Sequence, residues 1–313
     1  VYRFDMRPEW SNRYYVFDAP YHSLAVGRLS EAYREGRENA FFDAYFMDIA
    51  PQTDNRPFPS RFLRWHRLKE MYRATGSRVS TLLLSGEIVV AVIFLEAGLL
   101  SLALLALPFV ALRKSGSRPG AAEMLYFLSL GIGFMFVVLY FIKQLVLLYG
   151  DPVVSFTVVL GGMLVFSGVG GFFSQRLTDR ALVVSLVLLI ALLALAGPAT
   201  AWLTQAVLPF PVPMHFAIGL AWLAVPGVLT GLPFPLAMRH LLKTPSSRAY
   251  AWTTNGCASV LASIAAAQLA LSRGIAAIVI GAAAVYGVAL ICALKMRSST
   301  GVKNASARAL ESN

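Results

Sequence analysis

Apolar residues fill the last three quarters of the chain in long runs that only short polar segments interrupt. A helix needs about 20 apolar residues to cross the roughly 30 Å hydrocarbon core of a bilayer. Seven runs reach this length, and they cover residues 81–112, 125–149, 153–175, 181–205, 214–238, 249–271 and 274–294. None of them alternates between apolar and polar positions as a barrel strand does. The pattern therefore predicts an all-α fold, a polytopic transmembrane helical bundle of about seven spans.

The polar segments predict four parts along the chain. Residues 81–295 form the transmembrane domain, and the polar tail at 296–313 is predicted to be disordered. Residues 57–80 form a basic linker at the membrane interface. Residues 1–56 mix aromatic and charged residues as soluble domains do, so a short soluble region precedes the membrane domain.

Charge is scarce and unevenly distributed. The chain is 57% hydrophobic and 14% charged, whereas soluble proteins are about 25% charged. Residues 1–78 hold 13 of the 27 Lys and Arg residues and 10 of the 16 Asp and Glu residues. The other basic residues lie mainly between the apolar runs, where such residues fix topology and contact anionic lipid headgroups. We therefore expect the lipid bilayer as the main partner and no nucleic acid. A cytosolic enzyme and a secreted disulfide scaffold are excluded.

The topology depends on the first apolar run, which is too long for one upright span and too short for two. A single tilted span places residues 1–78 on the side opposite the basic loops, whereas the dense basic residues between 56 and 78 favour the same side. A re-entrant segment that enters and leaves on one side removes this conflict. From the sequence, both alternatives stay open.

The linker contains a stretch that alternates basic and bulky apolar residues, at 61–68 (RFLRWHRL). A helix of this pattern, lying along the bilayer surface, buries its apolar side chains at the acyl boundary and leaves its arginines for phosphates. We therefore predict an interfacial helix with lipid contacts at Arg61, Arg64, Trp65 and Arg67. A solvated linker helix is the alternative.

Polar residues inside the apolar runs form a candidate intramembrane site, because ionisable groups there are costly and commonly functional. Glu96, near the middle of the first run, is the main candidate for a proton or cation site, and Glu87 lies nearer the start of that run. Lys143 and Asn255 complete the set. Each of the four has a simpler interpretation. Glu96 is then a protonated carboxyl group bonded to another helix, and Glu87 is a solvated glutamate. Lys143 extends to the interface, and the Asn255 amide joins two helices.

Glycine and proline mark two of the runs. Five glycines crowd the third run, and small residues at such spacings let helices approach closely; they are Gly161, Gly162, Gly168, Gly170 and Gly171. Pro226, Pro233 and Pro235 interrupt the fifth run, so we predict a broken or kinked helix there. Broken helices line substrate sites in transporters and also occur as packing kinks.

Residue patterns typical of catalysis are missing from the sequence. The four histidines lack metal-ligand spacing. Neither a dinucleotide-binding fingerprint nor a nucleophile elbow occurs. The sequence therefore predicts no catalytic, cofactor-binding or metal-ligating residue in this chain.

Four stretches resemble one family. They lie at 51–58 (PQTDNRPF) leading to Arg64-Trp65, at 126–135 (YFLSLGIGFM), at 231–236 (GLPFPL) and at 251–260 (AWTTNGCASV). Together they resemble the bacterial multi-pass membrane proteins that carry a spermidine-synthase-like domain. The resemblance covers about residues 45–290, and its motifs consist mostly of packing residues.

The resemblance implies a soluble domain of the methyltransferase-type α/β fold that binds S-adenosylmethionine or its decarboxylated form. Residues 1–56 then correspond to an α/β remnant at the end of that domain, with the nucleotide-binding part upstream and no cofactor in this chain. The chain departs from the family at Val138, where the family has an acidic residue, and at Lys143-Gln144, where it has Gln-Arg.

These observations lead to one main functional hypothesis. The chain is expected to be the C-terminal membrane domain of a spermidine-synthase-like protein of the bacterial cytoplasmic membrane, where it anchors an aminopropyl- or methyl-transferase domain. The first alternative is a transporter of a polyamine or another small solute, whose cavity is lined by Glu96, Asn255 and the broken fifth helix. The second alternative is a structural membrane anchor.

Overall fold

The structure is a computed structural model that describes the backbone of residues 21–58, 62–114, 120–242 and 244–311. Within these ranges, the side chains of residues 21–23, 75, 77–85, 87–88, 105–114 and 299–311 are not described. About 86% of the structure is helical, and its described residues contain no strand. The predicted all-α fold is therefore confirmed.

The chain forms two compact units, residues 1–53 with 58–89 and residues 54–57 with 90–313. The first unit consists of α1 (Tyr21–Arg34), α2 (Glu38–Ala44), a 3₁₀ turn at Trp65–Arg67 and the first part of α3 (Leu68–Lys114). Its small core packs Leu63 and Met71 against Phe46 and Leu68. The sequence analysis predicts an α/β remnant over residues 1–56. The described part of that region, from residue 21 onwards, contains no strand. Residues 1–20 lie outside the described residues.

The predicted interfacial helix over 61–68 is not present as such. Residues 62–64 are not helical, residues 65–67 form the 3₁₀ turn, and α3 begins at Leu68. The physical reason is that the arginines of this stretch bond to backbone carbonyls at the end of α2. Arg64 donates to the Phe42 carbonyl at 3.1 Å, and Arg67 donates to the Tyr45 carbonyl at 3.0 Å.

The second unit is a bundle of long apolar helices. It contains the rest of α3, α4 (Ala121–Tyr149), α5 (Pro152–Phe173), α6 (Arg180–Val207), α7 (Val212–Gly231), α8 (Pro233–His240), α9 (Pro245–Arg273) and α10 (Ile275–Glu311). Among the residues that the structure describes, six helical segments are long and apolar enough to cross a membrane, with α7 and α8 counted as one. The protein therefore has the form of a multi-pass membrane protein.

Helix α4 is the centre of this bundle. Its most apolar window is 67% buried inside the protein, whereas the corresponding windows of the other five segments are between 22% and 39% buried. It packs against α9 and α10 and, less extensively, against α5, while α5 packs against α7. The other helices therefore bury a smaller share of their apolar windows than α4 does.

The first predicted span belongs to α3. Its described apolar stretch covers Val89–Leu104, which is shorter than a full span. Within the second unit, residues 90–112 are helical without interruption. A chain that turned back in this stretch would need non-helical residues, so the continuous helix favours a single passage over the re-entrant alternative.

Local sequence explains where α5 begins. Gly150 closes α4 in the left-handed conformation, with φ of 73°, which glycine adopts without steric cost. The Asp151 side chain then accepts hydrogen bonds from the backbone N–H groups of Val153 (2.7 Å) and Val154 (2.9 Å). Pro152 at the first helical position needs no bonding partner, because it has no N–H. This short Gly-Asp-Pro separator thus turns the chain between two spans.

The glycines predicted to let helices approach closely do so where α5 crosses α7. Gly162 and Gly170 face α7, where a Cβ on Gly162 would lie 2.9 Å from Leu220 and one on Gly170 would overlap the Val228 carbonyl. On α7, a Cβ on Gly227 would lie 2.5 Å from Phe166, and one on Gly231 would overlap the Ser167 carbonyl. The two backbones are therefore in direct contact at this crossing. By contrast, Gly161 and Gly168 face open space.

Residues 54–57 belong to the second unit and hold the turn between α9 and α10. The Asn55 carbonyl accepts from the Ile275 N–H at 2.9 Å, and its side-chain oxygen accepts from the Ala276 N–H at 2.7 Å. Gly274 is left-handed, with φ of 92°, and a side chain there would overlap Asn55. Asn55 therefore satisfies the N-terminal donors of α10 from a distant part of the sequence.

Helix α10 has a helical backbone as far as Glu311. The disordered tail over 296–313 stays a prediction.

Candidate functional site

The predicted break in the fifth apolar run is confirmed at Leu232, between α7 and α8. Pro233 and Pro235 have no backbone N–H, so they cannot donate to the carbonyls of Leu229 and Gly231 as helical residues do. The break therefore leaves backbone acceptors within the bundle. Pro226, two turns earlier, lies inside the continuous part of α7.

A cavity of about 700 Å³ lies beside this break. That volume is within the usual range of small-molecule sites. Residues of α4, α5, α7, α8, α9 and α10 line it: Leu130, Phe134, Leu164, Ser167, Gly168, Gly171, Thr230, Gly231, Phe234, Pro235, Met238, Arg239, Arg248, Trp252, Asn255 and Tyr286. We refer to it as the lateral cavity.

Ser167, Thr230, Asn255 and Tyr286 are among the uncharged polar residues in the wall of the lateral cavity. The Ser167 hydroxyl donates to the Leu164 carbonyl at 3.1 Å, and the Thr230 hydroxyl donates to the Gly227 carbonyl at 2.9 Å. The half-buried Asn255 amide has no hydrogen-bond partner among the described residues. Its carbonyl oxygen and its NH₂ group are therefore available to a ligand.

One end of the lateral cavity is basic. Arg239 follows the α7–α8 break and donates to the Gln175 carbonyl, and Arg248 near the start of α9 donates to the Leu242 carbonyl at 3.3 Å. Each guanidinium has several further N–H donors. Among the described residues, none that lines the cavity is acidic. The electrostatic character of this end therefore favours an anion.

The lateral cavity opens sideways, between α5 and α9. Leu164 on α5 is 55% exposed, and Trp252 on α9 is 62% exposed, although both line the cavity. Gly168, which also lines the cavity, carries no side chain, and a Cβ there would meet nothing within 4 Å. Exposed apolar groups of a transmembrane bundle face lipid, so the opening leads toward the bilayer.

A chain of aromatic contacts runs from α4 through α8 to Trp252 on α9. Phe127 on α4 packs edge-on against Phe234 on α8 (centroids 5.3 Å apart), and Phe234 packs against Trp252 on α9 (4.7 Å). The buried Tyr126 hydroxyl donates to the Pro233 carbonyl at 2.9 Å. Three of the four stretches that carry the family resemblance therefore meet at the break, which gives those packing residues a common structural role.

Only part of the predicted intramembrane site lies at this cavity. Asn255 lines it together with the broken helix, as the transporter alternative expects. Glu96 is exposed on α3 and lines neither of the two cavities described here. Lys143 is exposed on α4 and also lies outside both cavities. Glu87 lies on α3 in the first unit, and its side chain is outside the described residues.

The predicted lipid-contact residues have different environments in the first unit. Arg64 pairs with Asp43 at 3.0 Å and with Asp48 at 3.8 Å, and its side chain is only 13% exposed. Arg67 bonds to carbonyls of the α2 end, as described above, whereas Trp65 is 57% exposed. Arg61 lies outside the described residues. Of the described residues in this set, Trp65 is the one whose side chain is free to enter lipid.

A second, smaller cavity of about 240 Å³ lies between α4, α6 and α7. Its wall is almost entirely apolar, with Phe141, Leu192 and Pro226 among its residues. Trp222, also in the wall, donates to the Thr200 hydroxyl at 3.3 Å. A cavity without free polar groups offers no specific recognition, so it is a packing void beside two proline-containing helices.

Sequence reasoning missed Arg239 and Arg248 as site residues, because it treated all loop arginines as topology signals. One sequence signal could have identified them. The two arginines lie on either side of the turn that follows the Gly-Leu-Pro-Phe-Pro break. Within the described residues, no three His, Cys, Asp or Glu side chains are placed to bind a metal. The chemistry that the site offers is therefore binding by hydrogen bonds and positive charge.

Comparison of the chain with family models, with curated proteins and with solved structures found no match in any of the three.

Proposed function

We propose that the second unit is a membrane domain that binds a small molecule in the lateral cavity. The observation that carries the proposal is the combination of an interrupted helix, an amide without a protein partner and two arginines around one cavity. The wall of the smaller cavity between α4, α6 and α7 is almost entirely apolar and has no such combination of groups.

We further propose that this domain anchors a spermidine-synthase-like aminopropyl- or methyl-transferase domain in the bacterial cytoplasmic membrane. The support is the resemblance of the four sequence stretches and the meeting of three of them at the α7–α8 break. Any S-adenosylmethionine or decarboxylated S-adenosylmethionine is then bound by that transferase domain. A purely structural anchor is less well supported, because it gives the lateral cavity no role.

The transporter alternative is favoured by one specific observation, the broken α7–α8 helix beside the cavity. A polyamine is a poor candidate for the transported solute at this site. Arg239 and Arg248 would repel a polycation, and no lining residue is acidic. Transport, if it occurs here, concerns an anion or a neutral molecule.

Seven passages through the bilayer are part of this proposal. Near the start of α9, Tyr250 donates to the Met124 sulfur near the start of α4, at 3.4 Å, so α4 and α9 begin at the same end of the bundle. Asn55 is bonded at the far end of α9, through Ile275. These contacts support an odd number of crossings between Asn55 and the start of α4, and we propose that α3 supplies one.

Cysteine accessibility tests this topology. Cys257 and Cys292 are buried and free, so alanine at both positions gives a background for labelling. In that background, Asp54→Cys and Asp179→Cys should react with a membrane-impermeant maleimide from opposite sides of the membrane. Labelling of both positions from the same side contradicts the seven passages.

Native mass spectrometry of the purified chain tests the binding proposal. Leucine at position 168 projects into the lateral cavity, so Gly168→Leu should retain one bound molecule fewer than the wild type. Gly161→Leu is the matched control, because Gly161 lies on the same helix, faces open space and does not line the cavity. Equal retention by the two variants would falsify the proposal of a ligand site.

The transferase proposal is tested with the protein that carries the proposed transferase domain. Membranes that contain it should transfer an aminopropyl or methyl group from decarboxylated S-adenosylmethionine or S-adenosylmethionine to an amine acceptor. Absence of transfer with both donors contradicts the transferase proposal and leaves the ligand-binding proposal intact.

A further inference from the structure

The two ends of the lateral cavity differ in chemical character, and that difference identifies the class of ligand. Arg239 and Arg248 lie at one end, and the exposed apolar side chains of Leu164 and Trp252 lie at the lateral opening. A small water-soluble anion would use only the first end. A hydrocarbon would use only the second.

We propose that the lateral cavity binds an anionic phospholipid of the surrounding bilayer, with its phosphate at Arg239 and Arg248 and its acyl chains leaving between α5 and α9. The inference rests on the proposed function, because it names the ligand class of the same cavity. The inference also extends the proposed function, because it names a lipid of the bilayer as the ligand instead of an unspecified small molecule.

Positive charge and unused N–H donors support a phosphate at the basic end of the cavity. The hydrogen bonds to Gln175 and Leu242 use only some of the N–H groups of the two guanidiniums. Arginine binds phosphate oxygens well because its planar donors match their geometry. With no carboxylate in the cavity wall, nothing there competes with a phosphate for these donors.

The middle of the cavity suits the glycerol and ester part of a phospholipid. Asn255 has an amide without a protein partner, and the carbonyl of Gly231 lacks its helical donor because residue 235 is proline. These groups can bond to hydroxyl and ester oxygens or to ordered water. Polar groups at this depth need such partners, because the hydrocarbon of the bilayer offers none.

The exposure of two apolar lining residues supports acyl chains at the lateral opening. Leu164 and Trp252 are both more than half exposed while they line the cavity, and a Cβ on Gly168 would meet nothing within 4 Å. Acyl chains that leave the cavity here can pack against these exposed apolar side chains. A cavity closed on this side would take a free anion instead.

The inference is tested with the full chain in detergent, by native mass spectrometry against defined probes. The probes are dioleoyl phosphatidylglycerol, dioleoyl phosphatidylcholine and inorganic phosphate. The variants are Arg239→Gln, Arg248→Gln and the pair together, each compared with Arg176→Gln. Arg176 is exposed near the same end of the bundle, next to the Gln175 carbonyl that Arg239 contacts, but it does not line the cavity.

Phosphatidylglycerol should bind the wild type more tightly than phosphatidylcholine does. Each single cavity variant should weaken it about fivefold, and the pair should weaken it by more than about tenfold. Arg176→Gln should change the affinity by less than about twofold. Inorganic phosphate at millimolar concentration should not displace the lipid.

Three outcomes would overturn the inference. The first is equal binding of the two lipids, which removes the role of charge. The second is equal weakening by Arg176→Gln and the cavity variants, which indicates a general surface attraction. The third is displacement by inorganic phosphate, which makes the ligand a free anion. In all three cases, binding that is lost in Gly168→Leu but kept in Gly161→Leu still supports a ligand site. The phospholipid proposal can therefore fail while the proposal of a ligand site holds.

Discussion

The stretch of α3 around Glu96 and the wall of the lateral cavity around Asn255 were both candidate sites, and they have opposite surroundings. On α3, the apolar neighbours Leu95, Leu99 and Leu100 are each more than 60% exposed. Glu96 itself is exposed and has no hydrogen bond or ion pair among the described residues. Asn255, by contrast, is half-buried in a wall to which six helices contribute.

The difference shows that the depth of a polar residue in an apolar run does not identify a site. Glu96 was the stronger candidate by its position near the middle of a run, because a charge is costlier there than an amide. The face that it occupies depends on which neighbours α3 packs against. Close helix approach and an interrupted backbone, which both occur near Asn255, are the better guides.

The largest expected effect concerns the helix crossing that forms the cavity wall. Gly231→Leu should lower the free energy of unfolding by about 3 kcal/mol, because a Cβ at position 231 overlaps the Ser167 carbonyl and the backbone cannot rotate away. Reversible denaturation in mixed micelles measures this quantity.

Gly98→Leu on α3 is the control for that substitution. A Cβ at position 98 would lie 4.0 Å from Leu261, which is ordinary contact. The variant should change the free energy of unfolding by less than about 0.5 kcal/mol. If both glycines tolerate leucine equally, the two regions do not differ in packing and the comparison fails.

A smaller effect is expected at the α7–α8 break. Tyr126→Phe removes the buried hydrogen bond to the Pro233 carbonyl and should lower the free energy of unfolding by about 1 kcal/mol. The same denaturation assay applies. Tyr72→Phe in the exposed part of α3 is a suitable control, since Tyr72 is 38% exposed. A loss of stability in the control that matches Tyr126→Phe would remove the special role of the break.

Asn255→Ala should weaken ligand retention about fivefold, because it removes a hydrogen-bonding group worth about 1 kcal/mol. The helix should keep its stability, since the Asn255 amide bonds to no described residue. Titration of the purified chain with phosphatidylglycerol measures the change. Unaltered affinity would show that the amide does not contact the ligand.

The smallest effect is expected for Glu96→Gln. Glu96 lines neither cavity, so the affinity for the ligand should stay within about twofold of the wild type. In a proteoliposome assay, proton or polyamine flux should likewise be unchanged. A clear loss of either would return Glu96 to the site and contradict the contrast between the two regions.

Much of the fold follows from the sequence, because apolar length and breaker residues act locally. The separator Gly150-Asp151-Pro152 closes one helix and caps the next with its own atoms. The third-run glycines and the prolines of the fifth run predicted a close crossing and a break, and both are present. Composition alone was enough to predict a membrane bundle.

The rest depends on contacts between distant residues, which one sequence does not reveal. Asn55 bonds to the start of α10, more than 200 positions away. Arg64 and Arg67 have a pattern suited to lipid phosphates, yet they bond to the end of α2. Arg239 and Arg248 looked like ordinary loop arginines until the fold placed them in one cavity wall. In each case the partner lies far away in the sequence, so the local pattern could not reveal it.

A density map of the chain in nanodiscs that contain phosphatidylglycerol tests the central claim most directly. The account predicts non-protein density in the lateral cavity of the wild type and of Gly161→Leu, within hydrogen-bonding distance of Arg239 and Arg248 and continuous with density between α5 and α9. Gly168→Leu should lack that density. An empty cavity in the wild type, or the same density in Gly168→Leu, would contradict the account.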